Sequence, residues 1–357
     1  MLKSKIILVA SLNWGIGHAS RCIPIIRYLI RQNCNIYLAS SGKAAELLRT
    51  EFPELPLHIT PSYNVKYPHN GNMMFSIIGQ IPKIIKAIYQ EHKWLKDFLK
   101  KHNVEAVISD SCYGMWNNKV PSVFITHQLN IQAPFASGII NSINSFFIKK
   151  YNEVWVPDDP DTINLSGTLS YFSKQVTNVK YIGILSRFAE LQNQEKVLKY
   201  DVCAIISGPE PQRTIFESIV LNQLNNFPQL KCVIVRGIEN KPLEVQNGNH
   251  VIFYSHLSVQ PFLEILNSSK IVVCRSGYST LMDLACTENK AVLVPTPGQT
   301  EQEYLAAFHK EKGHYFSMPQ VEFNLADVLK YGEHYKGVKF KDSEQYKQVI
   351  NEWLRSI

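Results

Sequence analysis

The chain has 357 residues and a formal charge of +7, with 45% hydrophobic and 19% charged residues. That length suggests two domains, and the composition excludes a disordered, collagenous or low-complexity protein. The moderate positive charge permits attraction to anionic lipid or to phosphorylated substrates. Neither an aromatic RNA-binding signature nor zinc-finger spacing speaks for nucleic acid.

No run reaches the roughly 18 consecutive apolar residues of a membrane span. The apolar part of residues 1–11 is too short for a signal peptide, and NWGIG follows it instead of a small-residue cleavage pattern, so a first strand is expected there. The seven cysteines are odd in number, form no C-x-x-C and mostly lie in apolar runs. They read as reduced thiols of a cytoplasmic protein, with neither a zinc site nor a disulfide framework.

Along the chain, short β-rich runs alternate with helical patterns. Residues 5–11 (KIILVAS) form an apolar strand, 19–32 a helix, 35–39 a strand and 43–50 a helix. Further buried strands are expected at 105–109, 122–126 and 154–156. The pattern restarts with strands at 201–207, 232–236, 250–254, 271–274 and 291–294, most of them separated by helical segments. Continuous apolar strands alternating with helices imply parallel sheets covered on both faces. Two such series imply an α/β protein with two doubly wound, Rossmann-like domains. The expected layout is a first domain over 1–187, a polar linker over 188–199, a second domain over 200–340, and a C-terminal segment 341–357 containing a short helix. Ligands of such folds bind at the carboxyl ends of strands, often in a cleft between domains.

Four loops after strands carry candidate chemistry. The first, NWGIGHASR, places Gly15 and Gly17 in the turn before a helix and His18 at the helix start. The glycines let backbone amides approach a ligand, and the helix N-terminus favours an anion. A neutral His18 could accept a proton from a substrate hydroxyl; the alternative is a turn with a capping histidine. In the second, ISGPEPQRT, Ser207 and Gly208 could meet phosphate and Arg213 could clamp charge, unless this is an ordinary Pro-rich turn.

The third, VVCRSGYSTLMD, runs from a strand through Arg275, Ser276 and Gly277 into a helix. The amides of Tyr278, Ser279 and Thr280 suit a diphosphate, and Asp283, one turn on, could accept from ribose hydroxyls or simply favour the helix dipole. The fourth, VPTPGQTEQEY, offers Gln299, Gln302 and Glu303 to sugar hydroxyls, or is a solvated helix start. The D-x-D over Asp158, Asp159 and Asp161 reads as a turn and not as a metal site. Residues 81–101 read as an amphipathic helix with Ile81, Ile84, Ile88, Leu95, Phe98 and Leu99 on one face. Lys83, Lys86, Lys93, Lys96 and Lys100 lie on the other. The helix either packs on a core with a solvated lysine face or docks on anionic lipid. The apolar segment 131–148 could line an acceptor groove or touch lipid.

The third and fourth loops together resemble the donor-binding half of family 28 GT-B glycosyltransferases, of the MurG type that adds N-acetylglucosamine in peptidoglycan synthesis. VVCRSG, the T-x-x-D after it and the P-x-x-x-x-x-x-Q run ending at Gln302 recur at similar spacing. The likeness is firm over about residues 250–315 and looser over 13–18 and the ITHQ that holds His127. It implies two Rossmann-like domains facing across a cleft and a nucleoside-diphosphate sugar donor, usually UDP-linked. By that resemblance the amides around Tyr278–Thr280 would hold the diphosphate, Asp283 the ribose, and Gln302 the sugar. It also implies that the C-terminal helix packs back on the first domain. Asp283 stands where the family usually has Glu, Glu303 departs from a paired Gln, and the glycine loop and SGPEPQR depart from the family forms. These differences point to a different acceptor and leave the sugar open.

The run G-x-G-H-x-x-R-C at Gly15–Cys22 is also similar to the UDP-sugar hydrolase of pseudaminic acid synthesis, in which the motif's histidine is catalytic. The combined expectation is an inverting, metal-independent transfer from a UDP-sugar to a glycan or lipid-linked acceptor, with His18 as base. Arg275 or Arg213, if they face inward, would steady the leaving phosphate, and His127 would belong with Gly15 and Gly17 to the acceptor or phosphate loop. No cofactor is required, the UDP-sugar being a co-substrate, and peripheral membrane contact is compatible with a cytoplasmic enzyme. The alternatives are a hydrolase that uses water in place of the acceptor and a non-catalytic nucleotide-sugar binder.

Overall fold

The computed structural model describes residues 4–63, 65, 79–132, 137–160, 164–171, 176, 178–191, 196–237, 250–340 and 344–357. They fall into two compact units: residues up to Arg187 together with those from 344 onward, and residues from Phe188 to 340.

The first unit holds a seven-stranded sheet in the order β3-β2-β1-β4-β5-β6-β7, every pair parallel. Its strands are β1 (Ile6–Ser11), β2 (Asn35–Ser40), β3 (Leu57–Ile59), β4 (Ala106–Asp110), β5 (Ser122–Ile125), β6 (Glu153–Val156) and β7 (Val179–Tyr181). Central β1 and β4 are buried at almost every position because helices cover both faces. The crossovers are α1 (Gly17–Arg31), α2 (Gly42–Glu51), α3 (Ile81–Lys101) and α4 (Ser137–Ile148).

The second unit repeats the scheme with six parallel strands in the order β10-β9-β8-β11-β12-β13. These are β8 (Tyr200–Ile205), β9 (Cys232–Val235), β10 (Val251–Tyr254), β11 (Ser269–Cys274), β12 (Ala291–Leu293) and β13 (Phe316–Ser317). Helices α5 (Gln212–Leu224), α6 (Val259–Asn267), α7 (Tyr278–Thr287), α8 (Thr300–Glu311) and α9 (Leu325–Gly332) pack around them. In each sheet the winding direction reverses beside the first strand, between β1 and β4 and between β8 and β11. Loops diverge at such switch points and leave a crevice at the strand ends. The Gly15–His18, Ser207–Gly208 and Arg275–Gly277 loops all leave strands at these two points.

Strands β3, β7 and β13 are absent from the sequence expectation. Each has two or three residues at or near a sheet edge, too few to show a period. The last helix, α10 (Gln345–Ser356), packs in the first unit. Trp353 meets Trp155 edge-on at 5.5 Å and Tyr346 meets Tyr28 at 6.1 Å. Helix α3 buries Ala87, Ile88, Leu95 and Phe98 in the first unit's core and exposes Lys83, Lys86, Lys93, Lys96 and Lys100, which is the packing arrangement. No helix among the described residues is long and apolar enough to cross a membrane. All seven cysteines are free, six of them buried.

Candidate active site

The first switch point gathers four polar side chains. Gly15 adopts φ +89°, a left-handed turn that favours glycine, and Gly17 opens α1 with His18 in the first turn. Asp110 ends β4 and is fully buried. His18 Nδ1 lies 2.7 Å from Asp110 Oδ1. Arg21, one turn beyond His18 and 2% exposed, donates from Nε to Asp110 Oδ2 at 2.9 Å and from an Nη to Oδ1 at 2.5 Å. Its other Nη donates to Nδ1 of His127, just past β5, at 3.0 Å.

Burial by itself would push the Asp110 carboxyl up. The Arg21 guanidinium and the His18 hydrogen bond outweigh that and hold it down at about 2. Asp110 is therefore an anion at neutral pH and can keep a proton on His18 Nδ1. The His18 side chain is 19% exposed, so the ring has one edge fixed inside and another accessible. A lone pair on Nε2, oriented by a carboxylate behind it, is the arrangement of a general base. Sequence reading found His18 and His127 but missed Asp110 and Arg21. The available signals were a carboxylate closing a strand that begins Ala-Val-Ile and an arginine at i+3 from the histidine.

The loop after Asp110 is held from behind by Glu91 of α3. This carboxylate occupies the apolar stripe of its helix, at i+3 from Ile88 and i−4 from Leu95, and is 1% exposed. Glu91 Oε2 accepts from Gly114 N–H and from Tyr63 Oη, each at 2.8 Å. Gly114 permits the approach, since a Cβ there would lie 2.3 Å from the Ile88 carbonyl. Burial raises the Glu91 carboxyl to about 7, against the hydrogen bonds from Gly114, Tyr63 and Cys112 that lower it. Its folded pKa exceeds the unfolded one. The linked stability is therefore complete below about pH 4.5 and is lost as pH rises through 7. Glu91→Gln is expected to abolish a loss of about 3 kcal/mol over that window. Urea denaturation at pH 5 and pH 8 reads it, and an unchanged slope in the variant would contradict it.

The second switch point presents the other candidate residues. Gly208 follows β8 with φ +114°, and its Cα faces Thr296 of the loop after β12. Gly277 is the N-cap of α7 and brings no capping side chain, so the amides of Tyr278, Ser279 and Thr280 open the helix beside it. Asp283 is the sixth residue of α7 and is 7% exposed. Ser276 Oγ donates to the Gln302 carbonyl at 2.7 Å, and Gln302 Oε1 accepts from Thr296 N–H at 2.9 Å. Gln299 is the N-cap of α8 without a side-chain cap, and Glu303 Oε1 accepts from Gly298 N–H at 2.8 Å. The β11 and β12 loops are thus tied to each other by Ser276 and Gln302, which fixes the helix start relative to Gln302 and Glu303. Ser207 is half-buried before Gly208.

Two expectations need correction. Arg275 is not available to a phosphate: it is 1% exposed, stacks 4.1 Å over Phe216 and donates to the carbonyls of Val294, Pro295 and Gln212 and to Gln320 Oε1. A guanidinium carries five N–H donors in a planar fork, and here it knits loops together. Arg213 is paired with Glu210 at 2.6 Å and Glu217 at 2.9 Å, so its charge is already met within the unit. Asp158 of the D-x-D is fully buried and accepts from Asp159, Leu165 and Ser166, as a turn residue does. Asp161 lies outside the described residues. Among the described residues no group of three or more His, Cys, Asp or Glu could hold a metal.

The chain is similar to known glycosyltransferases. Residues 213–348 match the model of the glycosyltransferase family 28 C-terminal domain. An uncharacterized glycosyltransferase of Methanopyrus kandleri is 20% identical over 329 residues, covering 88% of this chain and 93% of that protein. The UDP-N-acetylglucosamine–N-acetylmuramyl-(pentapeptide) pyrophosphoryl-undecaprenol N-acetylglucosamine transferase of Listeria monocytogenes is 28% identical over 151 residues, 39% of this chain and 36% of its own. Among solved structures, the calicheamicin glycosyltransferase CalG4 aligns with a TM-score of 0.64 at 12% identity, over 100% of this chain and 94% of that one. MurG of Acinetobacter baumannii aligns at 0.56 and 11%, over 99% and 100%. At these identities the solved structures speak for the fold alone.

Proposed function

We propose that the chain is a GT-B glycosyltransferase of the family 28 type, and that it moves a hexose from a UDP-sugar to a hydroxyl of a glycan or lipid-linked acceptor, with inversion and without a metal; the match of residues 213–348 and the glycosyltransferase relatives support this reading. The second unit takes the donor. The amides of Tyr278, Ser279 and Thr280 meet the diphosphate at the positive end of α7, and Asp283 meets the ribose. Gln302 and Glu303 read sugar hydroxyls. The Gln302 Nε2 has no protein partner among the described residues, while its Oε1 is committed to Thr296.

The first unit supplies the base. The acceptor oxygen attacks the anomeric carbon, its proton passes to His18 Nε2, and the bond from that carbon to the phosphate oxygen breaks with its electron pair going to UDP. Negative charge grows on the β-phosphate, where fixed helix amides are most effective. The observation that carries this reading is the pairing of His18 with an ionised, buried Asp110 at the switch point. Peripheral contact with anionic lipid belongs to the same reading. It is supported by exposed Ile139 and Phe146 on α4, with Lys149 and Lys150 beside them.

A thermal-shift panel of nucleotides tests the donor half. UDP at 100 times its Kd should stabilise the protein by about 2.7 kcal/mol, and Asp283→Ala should lose most of that shift. Stabilisation by other nucleotides but not by UDP would overturn the choice of donor.

A further inference from the structure

Arg21 has no role in the reaction as described, yet it is the most connected polar group of the first switch point. We propose that Arg21 is a positioning residue that locks His18 and His127 into opposite tautomers. The proposal rests on the reading of His18 as the base.

A guanidinium only donates. The nitrogen of His127 that faces Arg21 Nη1 at 3.0 Å is Nδ1, so it must be the lone-pair nitrogen, and neutral His127 carries its proton on Nε2. His18 receives the reverse instruction. Its Nδ1 lies 2.7 Å from Asp110 Oδ1 and 2.8 Å from Arg21 Nη2, and that Nη2 is 2.5 Å from the same Oδ1. An unprotonated Nδ1 would set its lone pair against a carboxylate oxygen with no proton between them. A protonated Nδ1 and the guanidinium instead converge as two donors on one anionic oxygen, and their 2.8 Å separation is what that convergence leaves. His18 therefore carries its proton on Nδ1 and keeps the Nε2 lone pair for the acceptor.

Both assignments pass through the one side chain. Arg21 Nε and Nη2 fork onto both oxygens of Asp110, which fixes the carboxylate plane and so the oxygen that His18 meets. Lysine has no planar fork and could keep the charge but not the plane.

Imidazole nitrogen NMR on histidine-labelled protein, assigned with His18→Gln and His127→Gln, reads the tautomers directly. The expected wild-type spectrum has the proton on Nδ1 of His18 and on Nε2 of His127. Either histidine in the other form would overturn the proposal whatever the activity. Arg21→Lys is the test that keeps the site charged. It should leave mixed tautomers at His127 and lower kcat at least about tenfold, against the roughly 10⁴-fold that a wrong tautomer costs a serine protease. KM for the donor should not change. Wild-type tautomers and wild-type kcat in Arg21→Lys would also overturn it. The expected tautomers combined with a fully active His18→Ala would instead remove His18 as base and leave the assignment to Arg21 standing.

Discussion

Replacing His18 with alanine is expected to lower kcat by about 10²–10⁴-fold, the usual contribution of a positioned general base. UDP affinity should stay within about twofold, since the amides and carboxylate assigned to the nucleotide belong to the other unit. The fold should survive, because His18 is partly exposed and its loss leaves Asp110 still held by both forks of Arg21. A coupled assay of UDP release beside a UDP titration separates the two quantities. Full turnover in the variant would show that the proton leaves by another route. A matching loss of UDP binding would show that His18 binds donor instead of acting as base.

Asp110→Asn is expected to damage both chemistry and stability. The neutral amide can turn its NH2 toward His18 Nδ1 and favour the proton on Nε2, where it blocks the lone pair. The same change in a serine protease costs about 10⁴ in kcat. It also leaves the Arg21 cation buried without its anion, a loss of about 3–5 kcal/mol when one partner of a buried pair is removed. The pH signature carries the opposite sign to that of Glu91. The folded carboxyl is held at about 2, below its ordinary value of 3.8. Asp110 therefore stabilises the fold above about pH 4, and that contribution disappears as pH falls toward 2. Denaturant midpoints at pH 6 and pH 3 should fall less steeply with acid in the variant. An Asp110→Asn enzyme with normal turnover and normal acid sensitivity would contradict both the dyad and the ion pair.

Most of the fold was legible because its signals are local. Buried parallel strands such as IILVA and IVVC are near-continuous apolar runs, and glycines or a helix start follow them at 13–18 and 275–279. The two-sheet scheme follows from the restart of that rhythm at β8. Edge strands β3, β7 and β13 were illegible because two or three residues carry no period. The histidine was legible because it stands in a glycine turn. Its partner was not, because Asp110 is 92 residues away and becomes a neighbour only through the parallel pairing of β1 with β4. Glu91 left a readable trace, a carboxylate on an apolar stripe, but its meaning depends on Gly114, which α3 meets only in the folded chain. Arg275 shows the opposite error. Its charge and its loop suggested a phosphate clamp, and only packing reveals that its buried Nη groups are already committed to carbonyls. Sequence position says which residues reach a strand end, and packing decides which of them still have a hydrogen bond to give.

The most direct measurement is the structure of the protein soaked with UDP. The account predicts the pyrophosphate against the backbone amides of Tyr278, Ser279 and Thr280, with a carboxylate oxygen of Asp283 on the ribose hydroxyls and Arg275 unmoved beneath the loop. A pyrophosphate bound elsewhere, or bound through Arg275 with the α7 amides unused, would contradict it.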